Sequence, residues 1–112
     1  MSAVAETLLV LTNLPDRDAA MTLANAVIDA GVAACVNVLE PCTSVYRWEG
    51  KVENATEVPV LIKTRAALYP EVEAAISELH PYELPEIIAV PVGCGLADYL
   101  DWVGAETTIS IG

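Results

Sequence analysis

The sequence predicts an α+β domain with the ferredoxin-like split β-α-β arrangement, extended by a short α/β tail. Apolar runs typical of strands alternate with two amphipathic helical patterns, in the order β-α-β-β-α-β. The two central strands are joined by a tight turn at Glu49-Gly50 and form a long central hairpin. The length of 112 residues fits one domain, so we expect residues 1–112 to form a single domain.

The first strand and the first helix are predicted from the N-terminal quarter of the chain. Thr7–Thr12 is a short apolar run, which indicates a strand buried on both faces. Pro15 and Asp16 favour a helix start, and Gly31 is placed to end that helix. Between them the apolar residues recur with helical spacing, at Ala20, Leu23, Ala24, Val27 and Ile28.

The central hairpin is predicted from β-rich segments on either side of the turn. Its first arm comprises Val32–Leu39 and Thr43–Trp48, with a bend at Pro41, because proline interrupts strand pairing. Its second arm returns through Val58–Thr64. The two arms predict a long hairpin that is bent in the middle.

A second helix, another strand and a tail complete the prediction. Leu68–Leu79 has helical spacing, with Pro70 in its first turn, and must end by His80 because Pro81 disfavours a helical residue before it. The remaining elements are a buried strand over Glu86–Val92, a third helix over Leu96–Glu106 and a small final strand over Thr107–Ser110.

Self-association is predicted from the surface that this fold leaves uncovered. The two main helices cover one face of the sheet, so strands rich in Val, Ile and Leu would expose an apolar patch larger than monomers tolerate. The long hairpin also offers unpaired strand edges. We therefore expect an oligomer in which hairpin edges pair between subunits.

Charge and composition exclude several classes of partner. The chain carries 16 acidic and 5 basic residues, a net charge of −11, and lacks the Lys/Arg cluster that nucleic acids and anionic membranes require. No segment approaches the ~20 apolar residues of a membrane span. Residues 1–6 have no basic n-region, and the three cysteines fit no zinc spacing, so we expect a cytoplasmic protein with reduced thiols.

The only histidine of the chain marks the strongest candidate site. His80 and Glu83 are predicted as ligands of a divalent metal ion, and Glu86 could join them if the loop folds back. One imidazole with carboxylates suits zinc, copper(II) or nickel more than copper(I), which prefers thiolates. The alternative is a histidine at a helix C-terminus that interacts with the last carbonyl groups. One subunit supplies too few ligands for tight binding, so the ion, copper or zinc, is expected to be weakly held.

Six specific strings are spread over nearly the whole chain: Leu-Val-Leu-Thr-Asn-Leu-Pro-Asp (9–16), Ala-Ala-Cys-Val-Asn (33–37), Thr-Ser-Val-Tyr-Arg-Trp-Glu-Gly-Lys (43–51), Leu-Ile-Lys-Thr (61–64), His-Pro-Tyr-Glu-Leu-Pro-Glu-Ile-Ile (80–88) and Asp-Tyr-Leu-Asp-Trp (98–102). In content, order and spacing these strings resemble the CutA family, the divalent-cation tolerance proteins. The resemblance implies a ferredoxin-like subunit in a tight homotrimer shaped like PII signalling trimers, linked to copper and other divalent metals in the bacterial cytoplasm. It also implies copper ligands from Cys and His, of which only His80 is present; Thr12 and Leu79 stand at the places of others.

Two surfaces between subunits are also predicted, one from the residues of the hairpin tip and one from the resemblance. Arg47 and Trp48 at the hairpin tip are expected to pack against a neighbouring subunit in the trimer; their mixture of charge and aromatic rings could also suggest a single-strand nucleic-acid platform, which the charge of −11 disfavours. Polar groups of an intersubunit cleft are the second surface. Its expected residues are Lys63, Tyr46, Tyr82, Glu83 and Glu86.

Three functional hypotheses follow, and the first is preferred. In the first hypothesis, the chain is a trimeric, non-enzymatic protein that binds divalent metal weakly and takes part in metal tolerance. Alternatively, a PII-like module binds a small anionic ligand or a partner protein at its clefts. The third hypothesis is an enzyme that uses His80 as acid or base; it is the weakest, because neither a nucleophile nor an activating partner is evident.

Overall fold

The structure is a computed structural model that describes residues 6–107. It confirms the mixed α+β fold class and the order of the main elements. These are β1 (Thr7–Leu14), α1 (Arg17–Asp29), β2 (Cys35–Val38), β3 (Cys42–Trp48), β4 (Lys51–Arg65), a single 3-10 turn (Ala66–Leu68), α2 (Tyr69–Leu79), β5 (Ile88–Pro91) and α3 (Ala97–Glu106).

The sheet is antiparallel throughout and is organised around β4. The strand order is β2-β4-β1-β5, and the distal half of β4 pairs with β3 to form the hairpin. Val10 of β1 lies opposite Ile62 of β4, and Cys35 of β2 lies opposite Lys63. This is the order that two split β-α-β halves produce when they share one sheet.

Local signals set the ends of both main helices. The Asp16 carboxylate accepts a hydrogen bond from the Ala19 backbone N–H at 2.8 Å, which caps the first turn of α1. Gly31 follows α1 with a φ of +75°, a left-handed conformation that favours glycine. The second helix, α2, ends because His80 takes up extended backbone before Pro81.

The hydrophobic core lies between the two main helices and one face of the sheet. Alternate residues of β1 and β4 point toward the helices, as the two-residue period of a strand requires. Val10, Ile62 and Ile76 are fully buried, and each such side chain stabilises the fold by roughly 1.5–3 kcal/mol. Their buried neighbours in the same cluster are Leu14, Ala20, Leu23, Val27, Val32, Ala33, Val58, Val60 and Val72.

The opposite face of the sheet is partly covered, by α3. Arg65, which points away from α1 and α2, donates from Nε to the hydroxyl of Thr107 at 3.0 Å and so ties the end of α3 to β4. Toward the hairpin this face is open. Ile88 and Val90 of β5 are 50% and 46% exposed, so the prediction of a buried strand over Glu86–Val92 is wrong: β5 spans Ile88–Pro91 and is a half-exposed edge strand in this subunit.

The hairpin makes the subunit elongated, with a longest dimension of 48 Å. Glu49 and Gly50 have φ values of 50° and 82°, and two consecutive positive values identify a type I′ turn. The predicted bend at Pro41 falls between β2 and β3. The second strand starts later than predicted because the Val32 N–H closes the end of α1 by bonding to the Val27 carbonyl.

Two further predictions concern the ends of the chain and membranes. Thr107 belongs to a turn, and the rest of the final strand predicted over 107–110 lies outside the described residues. Within residues 6–107, no helix has the length and apolar character needed to cross a membrane.

Candidate functional site

A groove of about 1080 Å³ lies between the hairpin and the segment that joins α2 to β5. One wall is formed by β3 and β4, and the other by the chain from residue 82 to residue 88. The groove continues the open face of the sheet. Its lining residues are Asn13, Ser44, Val45, Tyr46, Trp48, Ala55, Glu57, Tyr82, Glu83, Leu84, Pro85, Glu86, Ile87 and Ile88.

His80 lies beside this groove and acts as a brace. Its side chain is only 8% exposed. Nδ1 accepts a hydrogen bond from the Tyr82 backbone N–H at 3.2 Å, so the proton of the ring is on Nε2, which donates to the Asn13 carbonyl oxygen at 2.6 Å. The His80 ring therefore joins the end of α2 to the end of β1: its two nitrogens bond to Asn13 and Tyr82, and only the His80 backbone N–H bonds to a last carbonyl group of the helix, that of Ile76.

A buried carboxylate forms the floor of the groove. Glu57 of β4 is only 9% exposed, and the Tyr82 hydroxyl donates a hydrogen bond to it. Burial, followed by this interaction with Glu57, raises the pKa of Tyr82 from its usual 10.0 to about 12. The phenol thus stays protonated at physiological pH and keeps its role as donor.

The chain from residue 82 to residue 88 is fixed to the sheet by a second contact. The Asn13 amide donates to the Glu86 carboxylate at 3.0 Å, which connects this chain to β1. Glu83 is exposed at the rim. The groove therefore presents three carboxylates, those of Glu57, Glu83 and Glu86, and none of its lining residues is a lysine or an arginine.

The residues described for one subunit do not form a closed metal centre. Within residues 6–107, no group of three or more His, Cys, Asp or Glu side chains is arranged to hold a metal ion. The one unprotonated nitrogen of His80 is already engaged by the Tyr82 N–H. A metal role for His80 and Glu83 stays a prediction, and it requires that this hydrogen bond be released.

The structure brings most of the predicted cleft residues together but leaves one apart. Tyr46, Tyr82, Glu83 and Glu86 all line the groove. Lys63 does not: its amino group bonds to the Asn37 side chain and lies 3.7 Å from the Cys35 sulfur, at the other end of the open face. Glu57 and Lys63 are six residues apart on β4, which places their Cα atoms about 20 Å apart at strand spacing.

The hairpin residues lie on two faces. Trp48 lines the groove together with Tyr46, whereas Arg47 points to the outer face, because side chains alternate along β3. Asn13 and Glu57 also belong to the site, although neither was predicted as a site residue from the sequence. Glu57 carries no distinct sequence signal, since its burial results from strand register and from the cover that Tyr82 provides.

Similar proteins share this arrangement of elements. The family model of the CutA1 divalent ion tolerance protein matches residues 8–106. The divalent-cation tolerance protein CutA of Thermus thermophilus is 40% identical over 98 residues, which are 88% of this chain and 95% of that protein. The mouse protein CutA is 43% identical over 93 residues, covering 83% of this chain and 52% of the mouse sequence, so this chain spans about half the length of that relative.

The fold agrees with solved structures as well. The crystal structure of CutA1 from Oryza sativa superimposes with a TM-score of 0.92 at 36% identity and covers 97% of this chain and all of that one (100%). The structure from Thermus thermophilus gives a TM-score of 0.89 at 38% identity, over 91% and 99% of the two chains. Since the family model, the sequences and the structures agree over nearly the full described length, this chain belongs to the CutA family of divalent-cation tolerance proteins.

Proposed function

We propose that this protein is a non-enzymatic, cytoplasmic homotrimer that binds divalent metal ions weakly, copper or zinc among them, as part of metal tolerance. The observation that carries the proposal is the groove beside the hairpin. Its three carboxylates are not balanced by any lysine or arginine among the lining residues. A concave acidic site on a chain of net charge −11 raises the local concentration of cations.

Weak binding is the form of metal binding that this geometry supports. Two of the three carboxylates already accept hydrogen bonds, Glu57 from Tyr82 and Glu86 from Asn13. Glu83, the third carboxylate, is exposed to solvent at the rim. An ion entering the groove therefore displaces existing contacts or binds through water, and either route lowers its affinity.

The trimer is supported by the apolar surface of the single subunit. Val45 and Val52 near the hairpin tip are 70% and 68% exposed, and Ile88 is half exposed on the open face. Among the described residues β3 pairs only with β4, so its outer edge is available for a strand of a second copy. Light scattering should detect an oligomer at micromolar concentration. A stable species near the 11.9 kDa of one chain would contradict the proposal.

Titration calorimetry with zinc and copper tests the role of the groove. The variant Glu83→Gln/Glu86→Gln removes two charges from the groove, and Glu71→Gln/Glu78→Gln removes two exposed charges from α2 as a matched control. We expect the groove variant to bind about tenfold more weakly, a loss of about 1.4 kcal/mol, and the control to bind like the wild type. Equal affinity in all three proteins would remove the groove from the proposal.

A second candidate, a PII-like binding module, is favoured by the size and lining of the groove. Tyr46, Trp48 and Tyr82 supply aromatic surface that a bare ion does not need and that an organic ligand or a protein segment could use. The carboxylates disfavour an anionic ligand here, so a partner protein is the better variant of this hypothesis. Thermal-shift screens separate the candidates: a binding module responds to ligands and is indifferent to chelators, whereas a metal binder is stabilised by added zinc or copper and loses that gain when a chelator follows.

A further inference from the structure

Outside the groove, a thiol and an amine meet on the open face of the sheet. Cys35 of β2 lies directly opposite Lys63 of β4 in the antiparallel register, so both side chains emerge on the same side. The Lys63 amino nitrogen is 3.7 Å from the Cys35 sulfur. Both residues are half-buried, and neither takes part in the groove or in the hydrophobic core.

Two neighbours hold this pair in place. The Asn37 side-chain oxygen accepts a hydrogen bond from the Lys63 amino group, which keeps the flexible lysine on the Cys35 side of the sheet. Tyr99 of α3 interacts with the Cys35 side chain: burial, followed by the charge and the hydrogen bond of Cys35, raises the pKa of the Tyr99 phenol. We refer to Cys35, Asn37, Lys63 and Tyr99 as the thiol–amine cluster.

An amine held close to a cysteine sulfur changes the product that forms after the thiol is oxidised. Peroxide converts an accessible cysteine to a sulfenic acid, whose sulfur is electrophilic and condenses with thiols or with nitrogen nucleophiles. An amine held beside that sulfur reacts intramolecularly, with a large advantage over thiols in solution. Cys42 and Cys94 are exposed and have no such amine in contact among the described residues, which makes Cys35 distinct.

We propose that the thiol–amine cluster is a peroxide-responsive modification site in which Lys63 captures oxidised Cys35 as a sulfenamide. In the first step the Cys35 thiol is oxidised by hydrogen peroxide: the O–O bond breaks, one oxygen bonds to sulfur as S–OH, and the other leaves as water. In the second step the Lys63 nitrogen, after losing its extra proton to solvent, attacks that sulfur. An S–N bond forms, the S–OH bond breaks, and hydroxide leaves with an amine proton as a second water.

The product joins β2 to β4 covalently and removes one positive charge from the open face. The net change in mass is the loss of two hydrogen atoms, because the oxygen that enters with peroxide leaves as water. Thiol reductants reverse the S–N bond, so the modification is switchable. It responds to peroxide and needs no metal ion, and it is independent of the proposed role of the groove.

Peptide mapping by tandem mass spectrometry tests the proposal on the full chain. The variant Cys42→Ser/Cys94→Ser removes the two other thiols, so that no disulfide can form within the chain. After treatment with dilute hydrogen peroxide we expect a crosslinked pair of peptides, joined through Cys35 and Lys63, that is lighter by two hydrogens and separates again with dithiothreitol. Trypsin should also fail to cleave after the bridged Lys63.

The matched control is Lys63→Arg in the same background. Arginine keeps the positive charge and the hydrogen-bond donors but offers no comparable amine nucleophile. We expect this variant to lose the crosslink and to accumulate sulfenic acid at Cys35, which the diketone dimedone traps. Any Cys35 product in the parent that leaves the Lys63 amine free, or a Cys35 that peroxide does not oxidise, overturns the proposal.

Discussion

Replacement of His80 by alanine is expected to weaken the fold itself, with no metal ion present. The imidazole is 8% exposed and holds two partners that are far apart in sequence, the Asn13 carbonyl of β1 and the Tyr82 N–H. Both partners lie in segments that shape the groove. His80 therefore positions one wall of the groove, independently of any metal binding.

The size of the effect follows from the contacts that disappear. Each of the two hydrogen bonds, at 2.6 and 3.2 Å, contributes about 1 kcal/mol. The cavity left by the missing ring adds about 1 kcal/mol more. A loss of about 3 kcal/mol lowers the melting temperature of a domain of this size by about 12 °C.

Urea unfolding at one fixed protein concentration, in the presence of a chelator, measures this loss. His80→Asn is the intermediate variant, because its short side chain can still accept the Tyr82 N–H but cannot reach Asn13. We expect the free energy of unfolding to fall in the order wild type, His80→Asn, His80→Ala. A metal-free His80→Ala protein with the wild-type midpoint, or one that is weakened only when metal is added, would refute the role of His80 as a brace.

Two further predictions concern the groove and the hairpin tip. Because the pKa of Tyr82 is raised to about 12, its hydrogen bond stabilises the fold fully below pH 10 and is lost as the pH rises through about 12. Glu57→Gln should lower the pKa of Tyr82 partway toward 10.0, which a titration followed by tyrosinate absorbance measures. An unchanged titration curve would contradict this prediction. Glu49 has a φ of 50°, a left-handed conformation that asparagine adopts more readily than glutamate. Glu49→Asn should therefore stabilise the hairpin by roughly 0.5–1 kcal/mol in urea unfolding, whereas Glu53→Asn, in the strand, should give no gain.

Much of the fold was predictable because the signals that end each element act locally. Asp16 caps the helix that follows it, Gly31 takes up the left-handed conformation after that helix, and Pro81 forces His80 out of helical backbone. None of these effects depends on distant parts of the chain. By contrast, the exposure of Ile88 in β5 depends on whether another layer of the structure covers that face of the sheet. A covered strand and an uncovered one can have the same apolar run in sequence, so the sequence does not distinguish them.

The composition of the site was predictable in part. Tyr82 and Glu86 share one short segment with His80, so their closeness follows from sequence distance alone. Glu57 lies in the groove and Lys63 lies outside it because of the register of β4. This register places Glu57 beside Tyr82 and Lys63 opposite Cys35. A shift of one residue would turn both side chains to the helical face, and the sequence does not show which register is adopted.

The brace and a metal ion would compete for the same nitrogen of His80. In the neutral ring only Nδ1 has a free lone pair, and the Tyr82 N–H occupies it. Coordination there must first break that bond, and turning the ring toward the groove also breaks the bond to Asn13. The free energy of these contacts, about 2 kcal/mol, is subtracted from metal binding and weakens it about thirtyfold. By reciprocity, an ion that did bind at His80 would loosen the wall of the groove, so tight binding and a rigid groove exclude each other.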